Sequence, residues 1–89
     1  MMDLKEIRYE IDKIDEELKR LFYARMDLVL KVAKYKKDNN LKVLDNNREK
    51  EMFERLVGDD ELSVYYHDFL KSYITISKQF QSIKILSKD

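Results

Sequence analysis

From Ile7 to Tyr35 the apolar residues fall at Ile7, Ile11, Ile14, Leu18, Leu21, Leu28, Val32 and Tyr35, in steps of four and three broken once. That spacing is the heptad seam of a helix that packs against another helix. No proline or glycine occurs before Gly58, so nothing interrupts one amphipathic helix over Met1 to Asn40. A helix of about 35 residues spans roughly 50 Å. A compact domain of 89 residues has a radius of gyration of only about 12 Å. Most of the helix would project beyond any core that the rest of the chain can build. A second copy packed on the same seam repairs this, so an obligate homodimer is expected.

The seam has one polar position. The step from Leu21 lands on Arg25 before the pattern resumes at Leu28. Lys36 follows Arg25 by eleven residues, about three helical turns, so the two share a face roughly 16 Å apart along the axis. Long side chains at that separation can converge on one small ligand. Arg8 precedes Arg25 by seventeen residues, points roughly 100° away and sits about 25 Å along the axis. It does not easily serve the same ligand within one chain. Periodicity alone favours a snorkelling Arg25 at a helix boundary and a solvated Lys36. A seam arginine still requires a buried anionic partner, from the chain or from a ligand.

The remaining chain reads as two shorter helices. The polar Lys37-Asp38-Asn39-Asn40 ends the first, with an asparagine suited to a left-handed cap. Leu41–Leu44 is a short connector, and Asp45-Asn46-Asn47-Arg48-Glu49 starts the second helix. Asn46 and Glu49 have the spacing of a capping box, and Asp45 suits the helix dipole. Capping accounts for Asp45 and Glu49 but not for Arg48, a cation in the first turn. Met52, Phe53 and Leu56 form the buried stripe, with Gly58 as the expected C-cap. Asp59-Asp60-Glu61 opens a third helix with a seam of Leu62, Tyr66, Phe69, Tyr73, Ile76, Phe80 and Ile83. Ser77 and Gln81 stack on one edge of that seam, where polar residues are ordinary boundary positions. His67 lies off the stripe and is expected at the surface.

Composition narrows the chemistry. Eighteen cationic and eighteen anionic side chains balance, which leaves a general nucleic-acid-binding role without electrostatic support. Any anionic ligand must be held by local clustering. With no cysteine, disulfides, thiol catalysis and cysteine–metal sites are excluded together. There is no zinc-type ligand cluster, glycine-rich phosphate loop or nucleophile–base pairing, so no metal or cofactor is expected. Met1–Glu6 lacks the apolar core of a signal peptide, and no run approaches membrane-spanning length. A cytoplasmic protein of one domain, residues 1–89, is expected. The chain stops just past its last seam position, at Leu86-Ser87-Lys88-Asp89, so no fused regulatory or second catalytic domain is expected.

The unusual residues form a set: Arg8, Arg25, Lys36, Asp45-x-x-Arg48-Glu49 and Ser77-x-x-x-Gln81. This set resembles the all-helical (type II) chorismate mutases over nearly the whole chain. The phrases Ile7-Arg8-x-x-Ile11-Asp12-x-Ile14-Asp15-x-x-Leu18, Leu21-x-x-x-Arg25, Val32-Ala33-x-x-Lys36 and Val43-x-Asp45-x-x-Arg48-Glu49 match at the family spacing. The resemblance implies an all-α fold with one very long, one short and one medium helix per chain, intertwined as a homodimer with two active sites. It implies conversion of chorismate to prephenate by an intramolecular Claisen rearrangement, in phenylalanine and tyrosine biosynthesis, without a cofactor. Arg25 would then bind a substrate carboxylate, and Arg8 would reach into the partner's site. Lys36 and Gln81 would donate to the ether oxygen, and Glu49 would bind the ring hydroxyl. Arg48 and Ser77 would complete the polar wall, with Asp45 contributing mainly through its backbone. Two departures stand out: the first connector has no proline, and Lys78 adds a charge beside Ser77. Isochorismate-pyruvate lyase shares this fold, but its Asp-x-x-Arg-Glu signature is altered, whereas here it is intact. A non-catalytic helical sensor or interaction domain would be expected to lose the cationic wall first.

Overall fold

The computed structural model describes residues 1–86 as three helices: α1, Leu4–Asp38; α2, Asn46–Leu56; and α3, Ser63–Leu86. Residues 87–89, on which the expected chain end falls, lie outside the described residues. Among the described residues there is no strand, and no helix is long and apolar enough to cross a membrane.

The helix ends follow local chemistry. Asp3 Oδ1 accepts from the Glu6 N–H at 2.8 Å and starts α1. At the other end Asn40 takes the left-handed conformation (φ 55°), as expected of an asparagine there. Leu41 N–H returns to the Lys36 carbonyl at 2.8 Å and Asn40 N–H to that of Lys37 at 3.3 Å, a Schellman closure. The start of α2 differs from expectation by one residue. Asp45, not Asn46, is the N-cap, its Oδ1 accepting from the Arg48 N–H at 3.0 Å. The Asn46–Glu49 capping box does not form: Asn46 lies inside the helix, one position past the cap, and Glu49 pairs with Lys78 on α3. Gly58 is not the cap of α2 either. Val57 leaves the helix in extended conformation (φ −91°, ψ 119°) and packs on the core, and Gly58 has no positive φ. The acidic trio Asp59–Glu61 precedes α3 rather than opening it. Its Asp60 carboxylate accepts from the Ser63 hydroxyl, and its carbonyl accepts from the Ser63 N–H at 3.1 Å.

The largest correction concerns register. All eight apolar residues expected on the first seam are exposed, and the buried residues of α1 are Val29 and Ala33, each one position past a seam residue. The same shift holds on α3. Leu70, Ile74, Ser77 and Gln81 are buried, whereas Leu62, Tyr66, Phe69, Ile76 and Ile83 of the expected seam are exposed. Within one chain, α1 meets α3 along the edge of each heptad stripe, and the stripe itself stays uncovered. The radius of gyration is 16.7 Å against about 12 Å for a compact chain of this length. The molecule is one helical layer, 14 Å thick at its thinnest.

A small core of Met52, Leu70 and Ile74 lies between α2 and α3, flanked by Phe53, Val57 and Tyr73. His67 is exposed, as expected, and its ring rests 4.8 Å from that of Phe53. The backbones of α1 and α2 make no close approach to each other, so α3 supports both.

Two outcomes follow from this packing. Leu70, fully buried, should lose about 2–5 kcal/mol of unfolding free energy on Leu70→Ala, read from the urea midpoint. Burial, followed by the neighbouring Tyr66 hydroxyl at 3.4 Å, pushes the Tyr73 phenol up to about 12, while Arg25 and Arg55 pull it down. Its neutral form is favoured in the folded chain, so it stabilises the fold fully below pH 10. Unfolding free energy should therefore fall as pH rises from 10 to about 12, and Tyr73→Phe should flatten that decline and remove one late-ionising tyrosine from the ultraviolet titration.

Candidate active site

A cavity of about 470 Å³ opens between α1, the connector, α2 and α3. From α1 come Arg25, Leu28, Val29, Val32 and Lys36, which the helical repeat brings onto one face. The connector and first turn of α2 supply Val43, Asp45, Arg48 and Glu49, and α3 supplies Ile74, Ser77, Lys78 and Gln81. Arg25, Lys36, Asp45, Arg48, Glu49, Ser77 and Gln81 are thus gathered around one space. Arg8 is not among them. It lies in a separate shallow hollow with Leu4, Lys5, Tyr9 and Asp12.

The two α1 cations that line the cavity, Arg25 and Lys36, are half-buried and held by neutral groups. Arg25 donates from Nη1 to the Ser77 hydroxyl, which itself donates to the Tyr73 carbonyl at 2.7 Å. The Tyr73 ring lies 4.7 Å from the guanidinium carbon. Lys36 Nζ donates to Gln81 Oε1 at 2.9 Å and to the Val43 carbonyl at 2.8 Å. No carboxylate pairs with either cation among the described residues. This answers the demand raised by a seam arginine: no anion in this chain's described residues neutralises it. Gln81 gives its oxygen to Lys36, which leaves its amide N–H groups without an acceptor among the described residues.

The other charges of the cavity are paired. Arg48 turns its guanidinium to Glu51 at 2.7 Å, and this hydrogen bond holds the Glu51 carboxyl below its usual range. Asp45 Oδ1 accepts from the Arg48 N–H at 3.0 Å. Lys78 Nζ lies 2.8 Å from Glu49 Oε1, yet that buried oxygen receives no aligned hydrogen bond. The contact is an ion pair without hydrogen-bond geometry. Lys78, a departure from the family pattern in sequence, lines the cavity, and Tyr73, a seam residue in sequence, stacks on Arg25. For Lys78 a signal was present, since it lies three residues before Gln81 and so shares its side of the helix. For Tyr73 the seam position argued for packing only.

Two cations with neutral partners, set beside an apolar floor of Leu28, Val29, Val32, Met52 and Ile74, suit a small anionic ligand with an apolar part. Comparison with known proteins points the same way. The bifunctional chorismate mutase/prephenate dehydratase of Aquifex aeolicus (strain VF5) is 42% identical over 57 residues, 64% of this chain and 16% of that protein. Its namesake in Buchnera aphidicola subsp. Acyrthosiphon pisum (strain APS) is 40% identical over 50 residues, 56% of this chain and 13% of that protein. The matched segment is therefore a small part of each relative. No solved structure gives a significant match. Residues 7–82, which include all eight of the residues singled out above, match the family described as chorismate mutase type II, and the chain belongs to that family.

Proposed function

We propose that the cavity binds chorismate and converts it to prephenate, making the chain an isomerase of aromatic amino-acid biosynthesis. The observation that carries this reading is the pair of half-buried cations, Arg25 and Lys36, whose partners are all neutral. Such groups favour an anionic ligand that arrives with its own charge.

The rearrangement is concerted: the ether C–O bond breaks as a C–C bond forms, with no nucleophile or base required. The enzyme must hold a flexible dianion in a compact chair-like conformer, which lowers the entropic part of the barrier. Arg25 binds one carboxylate, with its fork aligned by Ser77 and by the Tyr73 ring. Lys36 and the amide of Gln81 face the ether oxygen, where negative charge grows as the bond stretches. Their mutual hydrogen bond and the Val43 carbonyl fix the ammonium in advance, so little reorganisation is needed. Glu49 accepts from the ring hydroxyl. Arg48 turns from Glu51 to complete the wall, and Asp45 holds the backbone that carries both.

Arg8 enters from a second copy. Every residue from Met1 to Ala24 is exposed, and an apolar stripe of Ile7, Ile11, Ile14, Leu18 and Leu21 runs along that segment. Pairing two long helices covers these stripes and gives a homodimer in which the partner's Arg8 supplies the second carboxylate contact. The single domain expected of residues 1–89 is then half of a two-site assembly.

An absorbance assay of chorismate loss, with the product identified, tests the reading directly: prephenate is expected, and pyruvate release or no turnover would overturn it. Lys36→Ala should leave the dimer folded and cost about 3 kcal/mol of transition-state stabilisation, the scale of a lost oxyanion donor. Kinetics within a few-fold of wild type would remove Lys36 from its role. Mixed Arg8→Ala and Lys36→Ala chains, each inactive alone, should regain activity as heterodimers. Heterodimers that form without recovery would refute the shared site.

A further inference from the structure

Lys78 lines the cavity but belongs to none of the roles above. It follows Ser77 directly on α3, and its side chain crosses to the first turn of α2. The Lys78 and Glu49 side chains are 35% and 23% exposed, so the pair sits at the cavity wall rather than in open solvent. The Glu49 oxygen nearest the ammonium is buried and has no aligned donor. It keeps acceptor capacity while standing beside a positive charge. On the other carboxylate of the cavity, Asp45, one oxygen accepts from the Arg48 N–H. Glu49 is the cavity carboxylate that stands beside a cation.

A carboxylate alone is a poor judge of what donates to it. It accepts from a neutral hydroxyl, and it binds an ammonium more strongly because the hydrogen bond gains full charge assistance. A ring amine, protonated near neutrality, would therefore compete well at a site with Glu49 alone. Lys78 alters that balance. It offsets the carboxylate's charge and puts a like charge next to any cation that approaches Glu49. A hydroxyl is indifferent to this neighbour, whereas an ammonium is repelled.

We propose that Lys78 is a specificity-determining residue, making the Glu49 end of the cavity select a ring hydroxyl over a ring amine on the same dicarboxylate skeleton. The inference rests on the mutase reading, in particular on Glu49 facing the ring hydroxyl. The test compares kcat/KM for chorismate with that for its analogue carrying an amine in place of the ring hydroxyl, using the whole chain. Comparing variants by this ratio cancels the different intrinsic reactivities of the two compounds.

Wild type should favour the hydroxyl compound. Lys78→Met should lower the hydroxyl-to-amine ratio by roughly tenfold or more, the scale of one like-charge contact removed. The change should lie in KM for the amine, and Lys78→Arg should restore the ratio. Lys78→Gln serves the same purpose where the methionine variant does not fold by circular dichroism. A folded neutral variant with an unchanged ratio overturns the role of Lys78. A wild-type chain that turns over neither compound instead overturns the mutase reading. Calorimetric affinities for the two compounds, compared between wild type and Lys78→Met, then decide the question of Lys78.

Discussion

A 35-residue helix that is exposed along its whole length before Arg25 leaves a large apolar surface uncovered. Ile7, Ile11, Ile14, Leu18 and Leu21 are exposed on α1, Phe69, Ile76 and Ile83 are exposed on α3, and Leu62 is exposed just before α3. Covering a large apolar side chain stabilises by about 1.5–3 kcal/mol, so a stripe of this length is a strong drive toward association. The internal core of Met52, Leu70 and Ile74 is small beside it. The intertwined dimer we propose follows from that imbalance, and so does the form of the site. In that proposed dimer each long helix would have one end at its own cavity and the other near its partner's.

Inside the cavity, charges are treated in two ways. Arg48 is paired with Glu51, and Glu49 with Lys78, so each contributes little net field. Arg25 and Lys36 are oriented without being neutralised, by a hydroxyl, an aromatic face, an amide oxygen and a backbone carbonyl. Neutral partners fix direction and leave the positive potential available to a ligand. Carboxylate partners in the same places would have stabilised the empty chain and blunted the site. The cation fixed beside the closing turn of α1 is tied to the fold itself, because the Lys36 carbonyl also anchors that turn through Leu41.

Much of this was legible in the residues, and the failures have a common cause. Three helices, the Asn40 turn and the shared face of Arg25 and Lys36 follow from breaker residues and helical repeat. The heptad stripes were visible too, but a stripe does not say what covers it. Val29 and Ala33, one step past the stripe, are what α1 buries against its own chain. The polar partners on α3 were less legible still. Ser77 and Gln81 carry no local signal of burial, and the family likeness alone drew them to the site. The link from Lys78 to Glu49 depends on how α2 leans on α3, and the cap that Asn46 and Glu49 spell out is taken by Asp45 instead.

The burial of Ser77 and Gln81 explains why the register is shifted. A polar side chain on a buried face is costly unless its hydrogen bonds are met, and here each is met by a cation from α1. Slide either helix by one residue and Ile76 or Phe80 would replace them, leaving Arg25 and Lys36 half-buried against apolar groups. That arrangement costs several kcal/mol for each unpaired charge. The apolar contacts of Val29, Ala33, Leu70 and Ile74 say that α1 and α3 should pack; the two polar pairs say where. The residues that hold the cations toward a ligand thus also select the single packing in which the cavity exists.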